Sequence, residues 1–374
     1  MENILKTLNS IREDPYLIAR QEKANGKKIV GITPMYFPEE VVHAADALPI
    51  VLQEGNQLIT LGLGHLYHYF CGYNRSNVDL AIKSEVLEEL FDIIVVSDLC
   101  VQTRKASDIM RRRMPKTQFI YVQRPLDSAR VALAAARLEK SRKELEVMLG
   151  VKITDEAIEK SVRLYNKNRA LLRKVDQIRA EKPGTLSMNE MVSLTMASMV
   201  MRKEDHCQLV EEFLKDLQKR KSPPEDHKVK LLLCGHLCQA VKPDILNLIE
   251  DLGGVVVGDD LYTGFGYFAS DVETSAPPIE ALAHHYLDPG VPSTTTANVK
   301  QNLAEYLLEQ VKKRGAQGVI ILAVTFCEAF LLQVPYILNF LRDAKIPTLY
   351  LETEHEVVSL DAMRTRVQAF METF

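Results

Sequence analysis

The sequence predicts an α/β protein: two doubly wound, Rossmann-like domains with parallel sheets, plus an inserted helical layer. Three observations carry that class. Short apolar runs alternate with amphipathic stretches toward both ends of the chain, the rhythm of parallel sheets. Between about residues 127 and 220 there is almost no Gly or Pro and no strand pattern. The outer segments also repeat each other. GKKIVGITPMYFPEEVVHAADALPIVL has the same strand–loop–helix–strand order as HKVKLLLCGHLCQAVKPDILNLIEDLGGVVV. DIIVVSDLCVQTRKASDIMRRRMPKTQFIYVQ matches GVIILAVTFCEAFLLQVPYILNFLRDAKIPTLYLE in the same way. The predicted units are 1–126, a first α/β domain with an N-terminal helix; 127–222, a helical segment; and 223–374, a second α/β domain.

Residues 1–25 read as an opening helix, with Ile4, Leu8 and Ile11 at helical spacing. KKIVGIT (27–33) is a buried strand, and PEEVVHAADAL (38–48) a helix whose acidic first turn suits the helix dipole. LPIVLQ (48–53) is a second strand, and 65–82 reads as helical. DIIVVSD (92–98) is a third strand, followed by a basic helix from about Gln102 to Arg113 and a fourth strand at 117–123. Two long amphipathic helices and one or two more fill the middle, and KSPPED (221–226) is a Pro-rich boundary. The rhythm then returns with strands at 228–235, 254–260, 318–324 and 347–352. Helices at 243–254, 298–315 and 333–344 and a terminal helix separate or follow them.

Composition narrows the function. The chain has 374 residues, 47% of them hydrophobic, which suits packed domains and excludes disorder. Lys and Arg total 46 against 50 Asp and Glu, so no basic excess points to nucleic acid. Mean hydropathy is -0.08 and no long uncharged apolar stretch predicts a membrane span. The start, MENILKTLNSIRED, lacks the apolar core of a signal peptide, and the six cysteines read as thiols or metal ligands rather than a disulfide framework. The expectation is a cytoplasmic protein.

In open α/β sheets, ligands gather beyond the carboxyl ends of the strands. Cys100 follows the third strand and Cys327 the seventh; Cys234 ends the fifth, with Cys238 close behind, and Cys71 lies between the second and third. A single cysteine is often a small buried hydrophobe. Two at equivalent places in a repeated unit weigh toward a shared site. Dispersed thiolates are the usual ligands of an iron–sulfur cluster. Zinc on Cys234, His236 and Cys238 is a competing reading, although the spacing is loose and no second tight pair accompanies it.

Other motifs carry less. There is no GxxxxGK[ST], so the chain has no P-loop for ATP. GGVVVG (253–258) runs from a helix end into a strand, the reverse of a phosphate loop. GxSxG and HExxH are absent. His65 and His68, one turn apart if helical, read as packing residues, and the adjacent His284 and His285 do not make a chelating pair on a helix. Asp259 and Asp260 read as loop caps, and RKASDIMRRR (104–113) as a solvated face.

PMYFPEEVVHAADALPIVL resembles the N-terminal signature of the 2-hydroxyacyl-CoA dehydratase / benzoyl-CoA reductase family, and LIEDLGGVVVGDDL and EALAHHYLD resemble other segments of it. The resemblance covers about residues 25–374. The cysteines of YFCGYNRS, VVSDLCVQTRK and VTFCEAF (Cys71, Cys100 and Cys327) look like the family's three cluster ligands.

The resemblance implies a subunit with two α/β domains plus helices that holds a [4Fe–4S] cluster. It implies a heterodimer with a related cluster-bearing subunit. A separate, dimeric iron–sulfur activator would hydrolyse ATP and inject one electron. The substrate would be an acyl-CoA thioester, reduced to a ketyl radical. A three-cysteine cluster leaves one iron to a non-cysteine ligand, and Glu54 is a candidate oxygen donor. Cys238 and the runs ASDVETSAPPIEALAHHYL and IPTLYLETE are closer to the smaller cluster-bearing subunit of ATP-dependent benzoyl-CoA reductase. Asp46 and GHLCQAVKPD depart from the family pattern. The resemblance therefore implies ring reduction of benzoyl-CoA type first, and an (R)-2-hydroxyacyl-CoA dehydratase second. A third alternative is a double-cubane [8Fe–9S] cluster drawing on Cys234 and Cys238 as well, with Cys207 the weakest of the six thiols. Tyr67 and Tyr69 lie near Cys71 without a ranked role.

Overall fold

Every predicted strand forms. In a computed structural model of the chain, β1 is Ile29–Thr33, β2 Leu48–Val51, β3 Ile93–Asp98 and β4 Gln118–Gln123. In the second half β5 is Val229–Gly235, β6 Gly254–Asp259, β7 Gly318–Val324 and β8 Thr348–Thr353. The structure describes residues 2–55, 57–83, 85–222, 228–235, 238–297, 300–355 and 360–374. Most of the Pro-rich boundary at 221–226, and His236, lie outside the described residues.

Each half forms a four-stranded parallel sheet, and the two share one topology: β2-β1-β3-β4 and β6-β5-β7-β8. In each, the chain starts at an inner strand, winds outward one way, then returns to wind the other. Strand order therefore reverses between β1 and β3, and between β5 and β7. Helix-bearing connections diverge there and leave a crevice beyond the carboxyl ends.

Strand alternation builds the cores. Val30, Ile32, Ile93 and Val95 face one cluster with Leu138, Val162 and Leu282, whereas Ile29, Ile94 and Val96 face the opposite side. Leu231, Leu233, Ile320 and Leu322 join that opposite side, so one core spans both sheets. Its centre is the helix Met188–Val200, which is buried on every face along its middle. Ser187 and Glu190 start that helix with a capping box, which satisfies two of its end amides. The other long helices of the middle segment are Val131–Leu149, Asp155–Glu181 and Lys203–Leu217, as the pattern predicts.

Two expectations need correction. The opening helix is two helices, Glu2–Glu13 and Leu17–Ala24, because Pro15 cannot supply a helical N–H and disfavours helical backbone before it. The stretch predicted as helical from residue 65 is helical only over Gly72–Lys83. Within 65–70 only Leu66 is buried while Tyr67 and Tyr69 are exposed, so no apolar stripe exists to hold a helix against the core. His65 and His68 are thus not a helical pair, and Cys71 precedes a helix rather than sitting within it. No helix among the described residues is long and apolar enough to cross a membrane.

Candidate functional site

The crevices of the two sheets meet, and four cysteines converge where they do. Cys71, Cys100, Cys238 and Cys327 line one cavity together with Tyr73, Asn74, Gln102 and Val324. Each thiol arrives on its own segment. Cys100 follows β3 and caps the helix Val101–Arg113, its Sγ accepting from the Thr103 amide at 3.5 Å. Helix N-terminal amides carry partial positive charge, which favours an electron-rich ligand there. Cys327 follows β7 after a turn in which Phe326 holds a positive φ of 64°, rare for a bulky side chain. Cys71 stands before the helix Gly72–Lys83, with Asn74 Nδ2 donating to its Sγ at 3.2 Å.

Cys238 arrives through the loop after β5. That loop leaves the sheet at Gly235, whose φ is +125°, and a Cβ there would lie 1.9 Å from the Leu322 carbonyl oxygen. Only glycine fits.

One side chain ties three of these segments together. Gln102 Oε1 accepts the Cys71 amide at 2.8 Å, and its Nε2 donates to the Phe326 carbonyl at 2.9 Å and to the Tyr69 carbonyl at 3.4 Å. Burial pushes the Cys71 thiol up to about 11 and the Cys327 thiol up to about 12, with neighbouring cysteines adding to both. Cys238 is also raised well above its ordinary value, chiefly by burial, then by the other three thiols. Left to themselves, Cys71, Cys238 and Cys327 keep their protons. A cationic metal centre bound there would displace those protons and supply the missing charge.

The remaining two cysteines lie elsewhere. Cys234 is on the opposite face of β5 from Leu233, in the core under the helices Leu303–Arg314 and Val334–Asp343, and donates to Asp260 Oδ2 at 3.3 Å. Cys207 is packed in the helical layer, where Asn168 reaches it at 3.5 Å. The cavity therefore gathers the three first-ranked cysteines and Cys238, but neither Cys234 nor Cys207. This geometry does not assemble the six thiols of a double cubane. It also parts Cys234 from Cys238, which the zinc reading cannot accommodate. Among the described residues no three His, Cys, Asp or Glu side chains lie close enough to hold a single metal ion. Soft thiol donors spread around a buried cavity match a polynuclear iron–sulfur centre, in which the ligands bind separate irons.

Glu54 stands beside this cavity rather than in its lining. Its Oε1 lies 3.1 Å from His355 Nδ1, and Lys242 Nζ is 4.0 Å from its Oε2. Burial opposes a charge on His355, yet Glu54 and the Gln57 carbonyl hold its pKa above the ordinary value. The pair packs on the Cys71 turn, since a Cβ on Gly72 would lie 2.7 Å from that of His355. Tyr67 and Tyr69 stack at 6.3 Å on the exposed loop outside, and Tyr69 packs edge-on against Phe326.

The other candidate residues are structural. Asp259 accepts from Arg179, and its second oxygen takes the Leu261 and Phe265 amides. Asp260 accepts the Gly235 amide at 2.9 Å, and burial raises it to about 7. His285 is buried against Ser270, and Arg104 and Arg111 pair with Asp98 and Asp108 on an exposed helix face. Gln102, Asn74 and His355 escape sequence reasoning because each acts through a tertiary contact with a segment remote from it or through a single local bond.

A model of the family described as 2-hydroxyglutaryl-CoA dehydratase, D-component, matches residues 34–374. The chain is 25% identical to a benzoyl-CoA reductase subunit of Thauera aromatica over 99% of this chain and 98% of that one. It is 26% identical to the beta subunit of lactoyl-CoA dehydratase of Anaerotignum propionicum over 100% and 99%. Against the beta subunit of (R)-2-hydroxyglutaryl-CoA dehydratase of Acidaminococcus fermentans identity is 23% over 99% and 98%.

Proposed function

The chain belongs to the 2-hydroxyglutaryl-CoA dehydratase D-component family, and from that membership we propose that it is an iron–sulfur subunit of an enzyme acting on CoA thioesters by one-electron chemistry, of benzoyl-CoA reductase type. The observation that carries this reading is the convergence of Cys71, Cys100 and Cys327, from separate segments, on one cavity at the crevice of both sheets. In this reading those three thiolates would hold a [4Fe–4S] cluster, and Cys238 lines the same cavity. A bound cluster supplies a low-potential electron and, at an open iron, a Lewis acid.

The chain's own residues set the stage for that centre. Gln102 fixes the spacing of the Cys71 and Cys327 turns. Asn74 and the Thr103 amide give hydrogen bonds to ligand sulfurs, a contact that tunes cluster potential. Val324 and Tyr73 keep water from the thiols. In this reading the enzyme also needs a related cluster-bearing subunit, in keeping with relatives that are named as subunits. ATP is spent by a separate activator, in keeping with the lack of a P-loop.

A second reading is an (R)-2-hydroxyacyl-CoA dehydratase subunit. The beta-subunit relatives, matched over nearly their full length, favour it.

Iron and acid-labile sulfide on anaerobically purified protein test both readings at once. About four of each per chain is the expected result; absence of both overturns the cluster. With partner and activator present, consumption of benzoyl-CoA tied to an external reductant supports the reductase. Redox-neutral loss of water from a 2-hydroxyacyl-CoA supports the dehydratase.

A further inference from the structure

Next to the cysteine cavity is a cation without an anion. Arg124 follows β4 at the carboxyl edge of the first sheet. Its Nη1 donates to Thr295 Oγ1 at 3.0 Å and its Nη2 to the Tyr286 carbonyl at 3.1 Å. Its Nε is enclosed and has no partner. No carboxylate pairs with it among the described residues. Arg124 keeps part of its surface exposed, and the more enclosed arginines differ from it: Arg169 has Glu40, and Arg179 has Asp176 and Asp259. A guanidinium removed from water without a counter-ion is costly, and an apolar side chain would fill the space more cheaply.

The surroundings point the charge toward the cysteines. The guanidinium lies over the Tyr36 ring, 4.5 Å from its centroid. Thr295 Oγ1 is 2.7 Å from Ser293 Oγ, and Ser293 hydrogen-bonds the Tyr36 hydroxyl. Tyr36 in turn lies within the electrostatic reach of Cys238 and Cys327. A chain of hydroxyls thus runs from Arg124 to the rim of the thiol cavity. Tyr36 and Tyr286, both in contact with Arg124, also wall a cavity of about 40 Å³. A water needs about 10–15 Å³ of such space, so there is room for a group the size of a carboxylate. Arg124 reaches that cavity only through these two tyrosines; the guanidinium in its lining is that of Arg169, which Glu40 already neutralises.

We propose that Arg124, with Tyr36, Ser293 and Thr295, is a recognition site for one small oxyanion, a carboxylate or a phosphate, carried by the ligand that enters the cysteine cavity. A planar guanidinium with unpaired N–H groups suits such an anion. The site itself stands on geometry; that its anion belongs to an acyl-CoA rests on the reading above. A carboxylate would come from the acyl chain, and a phosphate from the CoA nucleotide.

Calorimetric titration and thermal melting of the purified chain test this, with iron assayed in the same preparation. The probes are glutarate, its neutral diamide, inorganic phosphate and CoA. Glutarate is expected to bind and raise Tm where the diamide does not, and Arg124→Met to weaken it about tenfold or more. Arg124→Lys, which keeps the charge without the fork, is expected to fall between and serves if the Met variant does not fold. An Arg124-dependent response to phosphate and CoA instead assigns the anion to the nucleotide. Equal binding of every probe by all folded variants, or none by the native chain, overturns the site. Iron-free protein that binds glutarate through Arg124 keeps this inference and removes the cluster; iron-loaded protein that binds no anion does the reverse.

Discussion

The amide oxygen of Gln102 accepts the backbone N–H of Cys71 at 2.8 Å, and the other end of the same side chain donates to the carbonyl beside Cys327. One neutral residue therefore sets the separation of two ligand candidates more than 250 positions apart in sequence. Gln102→Ala leaves the Cys71 N–H unpaired in a buried place, a loss of about 1–3 kcal/mol in urea unfolding. Iron retained through anaerobic gel filtration should fall with it. Gln102→Glu keeps the acceptor and turns the donor into an oxygen facing the Phe326 carbonyl, so it should not restore iron.

The cysteines should sort by position. Cys71→Ser, Cys100→Ser and Cys327→Ser are each expected to lose most of the iron, and Cys238→Ser less. Cys207→Ser and Cys234→Ser should leave it unchanged, since neither sulfur reaches the cavity. Full iron in all three of the first group would refute the ligand assignment.

Acid should destabilise the chain through His206. Its Nδ1 accepts from Asn168 Nδ2 at 2.6 Å and its Nε2–H donates to the Leu194 carbonyl at 2.9 Å, so the neutral ring is fully satisfied. Burial, with Lys203 nearby, lowers its pKa to about 3. An unfolded histidine titrates near 6.5. Between those values the unfolded chain binds a proton that the folded chain refuses. Stability therefore falls as pH drops through that window, at up to about 1.4 kcal/mol per unit. His206→Gln should flatten the slope, as chemical denaturation across pH 3–7 would show.

Gly235→Ala should cost at least about 2 kcal/mol, because the backbone is left-handed and the methyl group meets the Leu322 carbonyl. Gly150→Ala is the control. It shares a positive φ but has open space around it, so its urea midpoint should move less.

Much of this was legible in the sequence, for reasons that vary by residue. Apolar runs such as Ile93–Val96 report burial on both faces, and the repeat of two units foretold two parallel sheets, whose common strand order only the structure gives. Cys100 and Cys327 were visible because each follows a strand end. Cys71 does line the cavity, but the helix expected around it starts only at Gly72, since the aromatic residues before it mimic a helical face that nothing covers. Choosing Cys238 over Cys234 needed the pleat of β5, which turns Cys234 into the core. Gln102 and Arg124 gave no sequence signal. Their roles exist only where remote segments meet.

The core that spans both sheets has a mechanical consequence. The helix Met188–Val200 is shared by the two halves, and Arg179 and Arg314 bolt the long helix Asp155–Glu181 to the second sheet through Asp176 and Asp259. Such a chain does not open and shut like a jaw. The seam that holds the thiols is braced from both halves, with the exposed Tyr67–Tyr69 segment outside that brace. For the proposed cluster, rigid surroundings would keep the reorganisation that accompanies an electron small.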